Sequence, residues 1–292
     1  MQNLKSSSDP KDIENHLKSV DVMELTNRIK RFRNLNFQSI NDNDLRKEIL
    51  NVLTWDGRFC YCVNSKYHPS ELPLFRVRKL SGSKIPIDNF KSLNDMWEPP
   101  TSVLTKYGRL NKPKESLLYV AQDPVTAVKE CHIQLGEFYA VIQYIPKENI
   151  KLSFIGGDYN YSEHGITDKH AILVHEIYNN FLRDEFSRDV GQGTEYLYRI
   201  SEMIAKDYFD FPPRVIQDAW AYSSIQDKSK YNICFRPEIA HEILEVRGAM
   251  ICKKDTTDNI IVKCVASYDE EEMKYYHVGS PVQKELFPHI HY

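Results

Sequence analysis

The chain has no long apolar run, few glycines and no surplus of charge, and each shortage closes off a class of function. No stretch approaches the ~20 apolar residues of a membrane helix, and the polar start MQNLKSSSDPKD lacks the apolar core of a secretory signal. A cytoplasmic protein without a membrane partner is expected. Glycine occurs 11 times in 292 residues. None of these glycines forms a Walker loop or a G-x-G-x-x-G turn, and Gly156-Gly157 is a loop signal only. With 38 Lys and Arg against 41 Asp and Glu, direct binding to nucleic acid is not expected.

Metal and disulfide chemistry are equally short of support. The six cysteines, Cys60, Cys62, Cys131, Cys234, Cys252 and Cys264, stand in apolar or strand-like surroundings without the paired spacing of a zinc site or a disulfide framework. Reduced, partly buried thiols are the expectation. His164, His170, His175 and Glu176 do not form HExxH, and His175, within an apolar helical stripe, reads as a core residue, so no metal site is assigned. No internal repeat and no low-complexity segment occurs.

What the chain does have is a helical beginning followed by strand grammar. Residues up to about Pro10 are polar and rich in serine and lysine, the composition of a disordered terminus. Asp21 to Glu24 then reads as a capping pattern before Leu25, Ile29 and Phe32, and Asp42 or Asn43 as the cap of a helix carrying Leu45, Ile49, Val52 and Leu53. Residues 1–71 are read as a helical N-terminal extension and residues 72–292 as the main domain. From Leu72, LPLFRVRKL alternates apolar and basic residues, so Arg76 and Arg78 share a strand face.

The stretch from Gly108 to Glu130, GRLNKPKESLLYVAQDPVTAVKE, sets a basic loop, a short strand and an acid-bearing helix in succession. Asp123-Pro124 pairs an N-cap residue with proline at the first helical position, which predicts a helix from Pro124 with Val125, Val128 and Ile133 toward the core. Glu130 then sits about two turns in, either solvated or aimed into a cleft. Phe138, Ala140, Ile142 and Tyr144 alternate as a strand stopped by Pro146. Two helices follow, carrying Ile172, Leu173, Ile177, Phe181 and Leu182, then Leu197, Ile200 and Ile204. Further on, AWAYSSIQ and YNICF are strand-like. Leu244–Lys253 and Ile260–Ser267 flank the turn Asp255-Thr256-Thr257-Asp258-Asn259 as a terminal hairpin, and the acidic run Asp269 to Glu272 reads as solvated surface.

Taken in order, FRVR with Arg76, GRLN with Arg109, LLYVAQDPVTAVKE with Tyr119 and Glu130, and AWAYSSIQ followed by YNICF with Ser224 resemble the RES-domain family. That family is named for an arginine, a glutamate and a serine occurring in that order. The resemblance runs from Leu72 to Cys252. It implies an α+β fold, a mixed and largely antiparallel sheet flanked by helices, similar to the ADP-ribosyltransferase fold, here with a helical N-terminal extension. It also implies an NAD+-degrading enzyme of toxin type with NAD+ as substrate, inorganic phosphate or water as acceptor, no permanently bound cofactor and an antitoxin protein as partner.

By the same resemblance Arg76 and Arg109 grip the NAD+ pyrophosphate, and Tyr119 contacts the nicotinamide riboside end. Glu130 accepts from ribose hydroxyls and faces the positive charge that grows as nicotinamide leaves, while Ser224 hydrogen-bonds ribose, nicotinamide or phosphate. The catalytic set is thus Glu130, Arg76 and Ser224. The chain departs from the family pattern at KPKES, where a Pro-Gly is common, at Tyr222-Ser223-Ser224, where YPS is common, and at Val77, where an aromatic occurs. The doubled serine leaves Ser223 as the neighbour of the residue chosen.

The chemistry is coherent without the family name. NAD+ carries a good leaving group in its cationic nicotinamide, so a held substrate and an anion near the oxocarbenium-like centre matter more than a strong acid. Arg78, Ser223 and Ser224 are candidate contacts for a phosphate acceptor. Each residue also has an ordinary reading: Arg78 as an exposed solubilising group, Tyr119 as a core aromatic, Glu130 as a solvated acid and the serines as turn residues. Two rival functions stand beside the first, a protein ADP-ribosyltransferase and a catalytically inactive nucleotide-binding member.

Overall fold

Helices in this chain begin where a short polar side chain can cap them. The computed structural model describes residues 9–81, 90–255, 259–269 and 271–290. Within these, α1 (Pro10–Lys18), α2 (Val22–Arg33) and α3 (Asp42–Leu53) follow Asp9, Asp21 and Asn41, each cap accepting from a first-turn N–H. Asp21 caps as the pattern predicts, but Glu24 pairs with Arg28 and Arg31. The third helix is capped by Asn41, whose side chain accepts from Asp44 N at 3.0 Å, and Asp42 and Asn43 fall inside its first turn. Of the residues up to about Pro10 expected to be disordered, residues 1–8 lie outside the described residues, whereas Asp9 caps α1 and Pro10 opens it.

Along the chain there follow β1 (Thr54–Trp55), β2 (Arg58–Phe59), β3 (Ser65–His68), β4 (Leu74–Leu80) and β5 (Leu118–Ala121). Next come α4 (Pro124–Glu130), β6 (Phe138–Pro146), β7 (Ile150–Ile155), α5 (Lys169–Phe186) and α6 (Tyr198–Tyr208). The last elements are β8 (Ala219–Ser223), β9 (Tyr231–Phe235), α7 (Pro237–Ile243), β10 (Leu244–Lys253), β11 (Val262–Asp269), β12 (Glu272–His277) and α8 (Pro281–Leu286). The β1–β2 hairpin turns at Asp56-Gly57, both at positive φ, the backbone that a two-residue hairpin requires.

The chain forms two compact units, and they do not divide at residue 71. One gathers the described residues of Met1–Ser65, Lys106–Pro113 and Ser153–Phe211. The other holds those of Lys66–Thr105, Lys114–Leu152 and Pro212–Tyr292. Helices α5 and α6 thus fold with α1 to α3, α5 packing against α1 and α6 against α3. Phe181 of α5 meets Phe32 of α2 edge-on at 5.3 Å. The stripe of α5 runs Ala171, Val174, Tyr178, Phe181 and Leu182, which leaves Leu173 on the opposite side and 47% exposed, contrary to expectation.

His175 is a core residue of the helical unit. It is buried, its Nε2 accepts from Cys62 N at 3.3 Å, and its Nδ1 lies 3.0 Å from the Tyr161 hydroxyl. Burial, with His164 adding to it, pulls its pKa down to about 4.

The sheet unit is α+β. From β12 to β8 its strands run β12-β11-β10-β6-β4-β5-β9-β8, every pairing antiparallel, and β7 and β3 complete a ten-stranded sheet. Strand β6 is buried along nearly its whole length and does not alternate, because it is a central strand covered on both faces. β10 and β11 form the expected hairpin, in register at Ala249 and Ala266, but it is not terminal: β12 pairs with β11, and Asp269 and Glu272 of the acidic run face each other across that pairing. Residues 256–258 of its turn and residue 270 of the acidic run lie outside the described residues. One junction sets the stage for the site. β4 pairs with β6 over seven residues but touches β5 through the single pair Phe75 and Ala121. No helix among the described residues is long and apolar enough to cross a membrane.

Candidate active site

Helix α4 is built to aim one acid at the sheet. Asp123 caps it, accepting from Thr126 N at 2.9 Å and from Thr126 Oγ1 at 2.8 Å, and Pro124 takes the first position. The buried arc comprises Thr126, Ala127 and Val128. Val125 lies about half a turn from Ala127 and is 42% exposed, so of the three apolar residues expected in the core only Val128 and Ile133 are there. Glu130 falls three and four residues after Ala127 and Thr126, on the same arc, which turns its carboxylate inward.

The carboxylate meets two donors. Ser224 Oγ lies 2.5 Å from Glu130 Oε1, and Asn232 Nδ2 donates to the same oxygen at 3.0 Å. Both partners are buried. Ser224 Oγ also accepts from Gln226 N at 3.1 Å and Asp227 N at 3.3 Å, so its lone pairs are taken and its one proton is directed to Glu130. No donor among the described residues takes Oε2. Ser223 behaves differently: it pairs with Tyr231 inside the β8–β9 ladder and alternates to the other face.

Register places the neighbours. Ala121 faces Asn232, and Asn232 faces Tyr222. Tyr119 faces Cys234, and Cys234 faces Trp220. Tyr119, half-buried, therefore shares a sheet face with Asn232, Trp220 and Tyr222, the face over which Glu130 sits. Sequence reasoning missed Asn232. Its signal was a lone amide within the apolar strand YNICF.

Arg76 and Arg78 do share a face of β4, opposite Ile142 and Ala140 of β6. Phe75 and Val77 lie on the other face, in the core that also takes Ala127 and Val128. Because Phe75 pairs with Ala121, Arg76 alternates to the sheet face away from Tyr119 and Asn232, contrary to the expected convergence, and it makes no hydrogen bond or ion pair with Glu130. Its Nη1 is buried without a hydrogen-bond partner, and the guanidinium lies beside Tyr144. It also lies near the end of α4: burial pushes the Cys131 thiol up to about 11, and the Arg76 charge pulls the other way. Cys131 Sγ in turn contacts Val77 O at 3.6 Å.

The remaining sequence candidates are otherwise engaged. Arg78 pairs with Asp95 at 2.8 Å and bonds the Asp95 carbonyl at 2.7 Å. Burial pushes the Asp95 carboxyl up, but the Lys91 and Ser92 N–H groups and Arg78 hold it below its ordinary value. Arg109 belongs to the helical unit. Its guanidinium donates to the carbonyls of Phe186 and Arg188 and lies 5.0 Å from the Tyr198 ring, while Ser201 Oγ holds its carbonyl at 2.7 Å. The chain matches no family profile, and comparisons with curated proteins and with solved structures find no match.

Such a site has one oriented carboxylate with a spare oxygen and aromatic neighbours. It suits reactions in which positive charge grows and the leaving group departs unaided.

Proposed function

We propose that the chain binds NAD+ and breaks its nicotinamide–ribose bond, transferring ADP-ribose to inorganic phosphate or water, as its resemblance to the RES-domain family implies. One observation carries the reading: Ser224 and Asn232 both hold Glu130 Oε1 and leave Oε2 for a ligand. In this reading Oε2 accepts from a ribose hydroxyl and faces the oxocarbenium-like carbon, and Tyr119 stacks at the nicotinamide end. Arg76 enters this reading by the resemblance alone, since it alternates to the face of β4 away from Phe75 and Ala121, and Arg76→Lys tests it by whether the KM for NAD+ rises. A phosphate oxygen forms the new bond to the anomeric carbon as the C–N bond breaks. That electron pair leaves with nicotinamide, which departs neutral and needs no proton.

Arg109 enters this reading by the resemblance, and Arg109→Lys tests it by whether the KM for NAD+ rises. The NAD+-binding surface is also where an antitoxin protein would act. Incubating purified protein with NAD+, with and without phosphate, and resolving the products by mass spectrometry tests the function. Free nicotinamide with phosphorylated ADP-ribose is expected in phosphate, and ADP-ribose without it. Label on protein instead of phosphate or water would make the chain a protein ADP-ribosyltransferase. Binding of NAD+ without turnover would make it an inactive nucleotide-binding member.

A further inference from the structure

A cavity of about 1000 Å³ opens in the sheet unit, and none of Arg76, Tyr119, Glu130 or Ser224 lines it. Sheet residues Phe75, Ile145 and Met250 line one side, and Val278, Leu286 and Phe287 of the C-terminal segment line another. Phe75, Met250 and Phe287 belong to one apolar core cluster, with Leu286 packed against it. The volume is at the upper end of the ~300–1,000 Å³ that ligand sites occupy, far beyond the voids that close packing leaves.

The polar lining includes Gln143 and Arg247, which meet at one irregularity of the sheet. Gln143 lines the cavity with Oε1 buried and without a hydrogen-bond partner. Opposite it on β10 is Gly248, and there the register slips between Val246 and Gly248, so Arg247 is the extra residue of a β-bulge. Gly248 has a φ of +152°, and an added Cβ would meet Ala266 O at 2.9 Å. The bulge aims Arg247 at the end of α8, where it donates to Leu286 O at 3.3 Å and Glu285 O at 2.9 Å. The rest of its fork and the exposed Lys263 ammonium, which also lines the cavity, hold no ion pair among the described residues. Glu71 and His289 complete the charged and titratable lining, which leaves cationic charge in excess.

We propose that this cavity binds a fatty-acid-like ligand, a flexible apolar chain ending in a carboxylate. The chain lies on Phe75, Met250 and Leu286, and the carboxylate is held by Arg247 and the Gln143 amide at the bulge, with the Lys263 ammonium adding positive charge to the same cavity. Oxygen and nitrogen of that amide exchange places by a flip, so Gln143 can turn an N–H to the anion. Neither an alcohol nor a cation of equal chain length pairs with the Arg247 guanidinium in a cavity with cationic charge in excess.

Titration of the full chain with cis-parinaric acid, whose emission rises in apolar surroundings, tests the proposal without NAD+ turnover. Saturation at one site per chain is expected, with dodecanoate displacing the probe about ten-fold better than dodecanol or dodecyltrimethylammonium. Lys263→Glu, an exposed change, should narrow that preference. Leu286→Trp, which fills the cavity, should abolish probe binding. No saturable emission, equal competition by the alcohol, or a preference that Lys263→Glu leaves intact would overturn the proposal. A Leu286→Trp variant that melts like wild type yet binds the probe unchanged would do so too, and if that variant does not fold, the other comparisons decide alone.

Discussion

Ser224 illustrates how much one hydroxyl can fix. It accepts two backbone N–H groups and donates to Glu130, so its loss would take a partner from both N–H groups and leave Glu130 Oε1 with Asn232 alone. Ser224→Ala is expected to lower the urea unfolding free energy by about 1–3 kcal/mol, the cost of leaving buried polar groups unmet, and to slow NAD+ turnover as well. An unchanged midpoint and rate would contradict its role. Glu130 and Ser224 were named in the sequence through the resemblance to the RES-domain motifs, since by pattern alone Glu130 reads equally as a solvated acid and Ser224 as a turn residue. Asn232 was not, because a single amide inside a strand looks like any edge residue until the pairing shows it 7% exposed and turned to the carboxylate. Arg78 shows the reverse case: strand alternation gave its face correctly, but nothing local announced Asp95.

At the scale of elements, α4 was legible where its signal was chemical and illegible where it was periodic. Asp-Pro marked its start, whereas seven residues are too few for a stripe to single out the exposed Val125. Asp123→Ala should cost about 0.5–2 kcal/mol in thermal or urea unfolding and lower turnover further by loosening Glu130. Full activity with a weakened helix would separate the two effects and argue against the site. Helix α5 carries a pH prediction. His175 is held neutral by burial, with a folded pKa of about 4 against an unfolded value of 6.5. The unfolded chain therefore takes up a proton first as pH falls, so stability is full above pH 6.5 and declines toward pH 4. The loss should reach on the order of 3 kcal/mol, with His16 and His68, also lowered by burial, adding in the same direction. In His175→Gln that slope should flatten, and an unaltered slope in urea unfolding at stepped pH would refute the assignment.

For the whole molecule, the sheet was legible in outline, since LFRVRKL, YNICF and the β10–β11 hairpin are strands, but the division of the chain was not. Residues 106–113 and 153–211 return to the N-terminal helices, a matter of contacts between distant segments that no local pattern encodes. Central strand β6 escaped for a related reason, as burial on both faces erases alternation. Function turns on a smaller fact, that a carboxylate held through one oxygen has the other to offer. The most direct measurement is nicotinamide release from NAD+ by wild type and Glu130→Gln side by side. The amide keeps the shape of the site and removes the charge, so release should fall about 100-fold or more while the melting curve stays put. Equal rates in the two proteins, or no release by wild type with or without phosphate, would contradict the account.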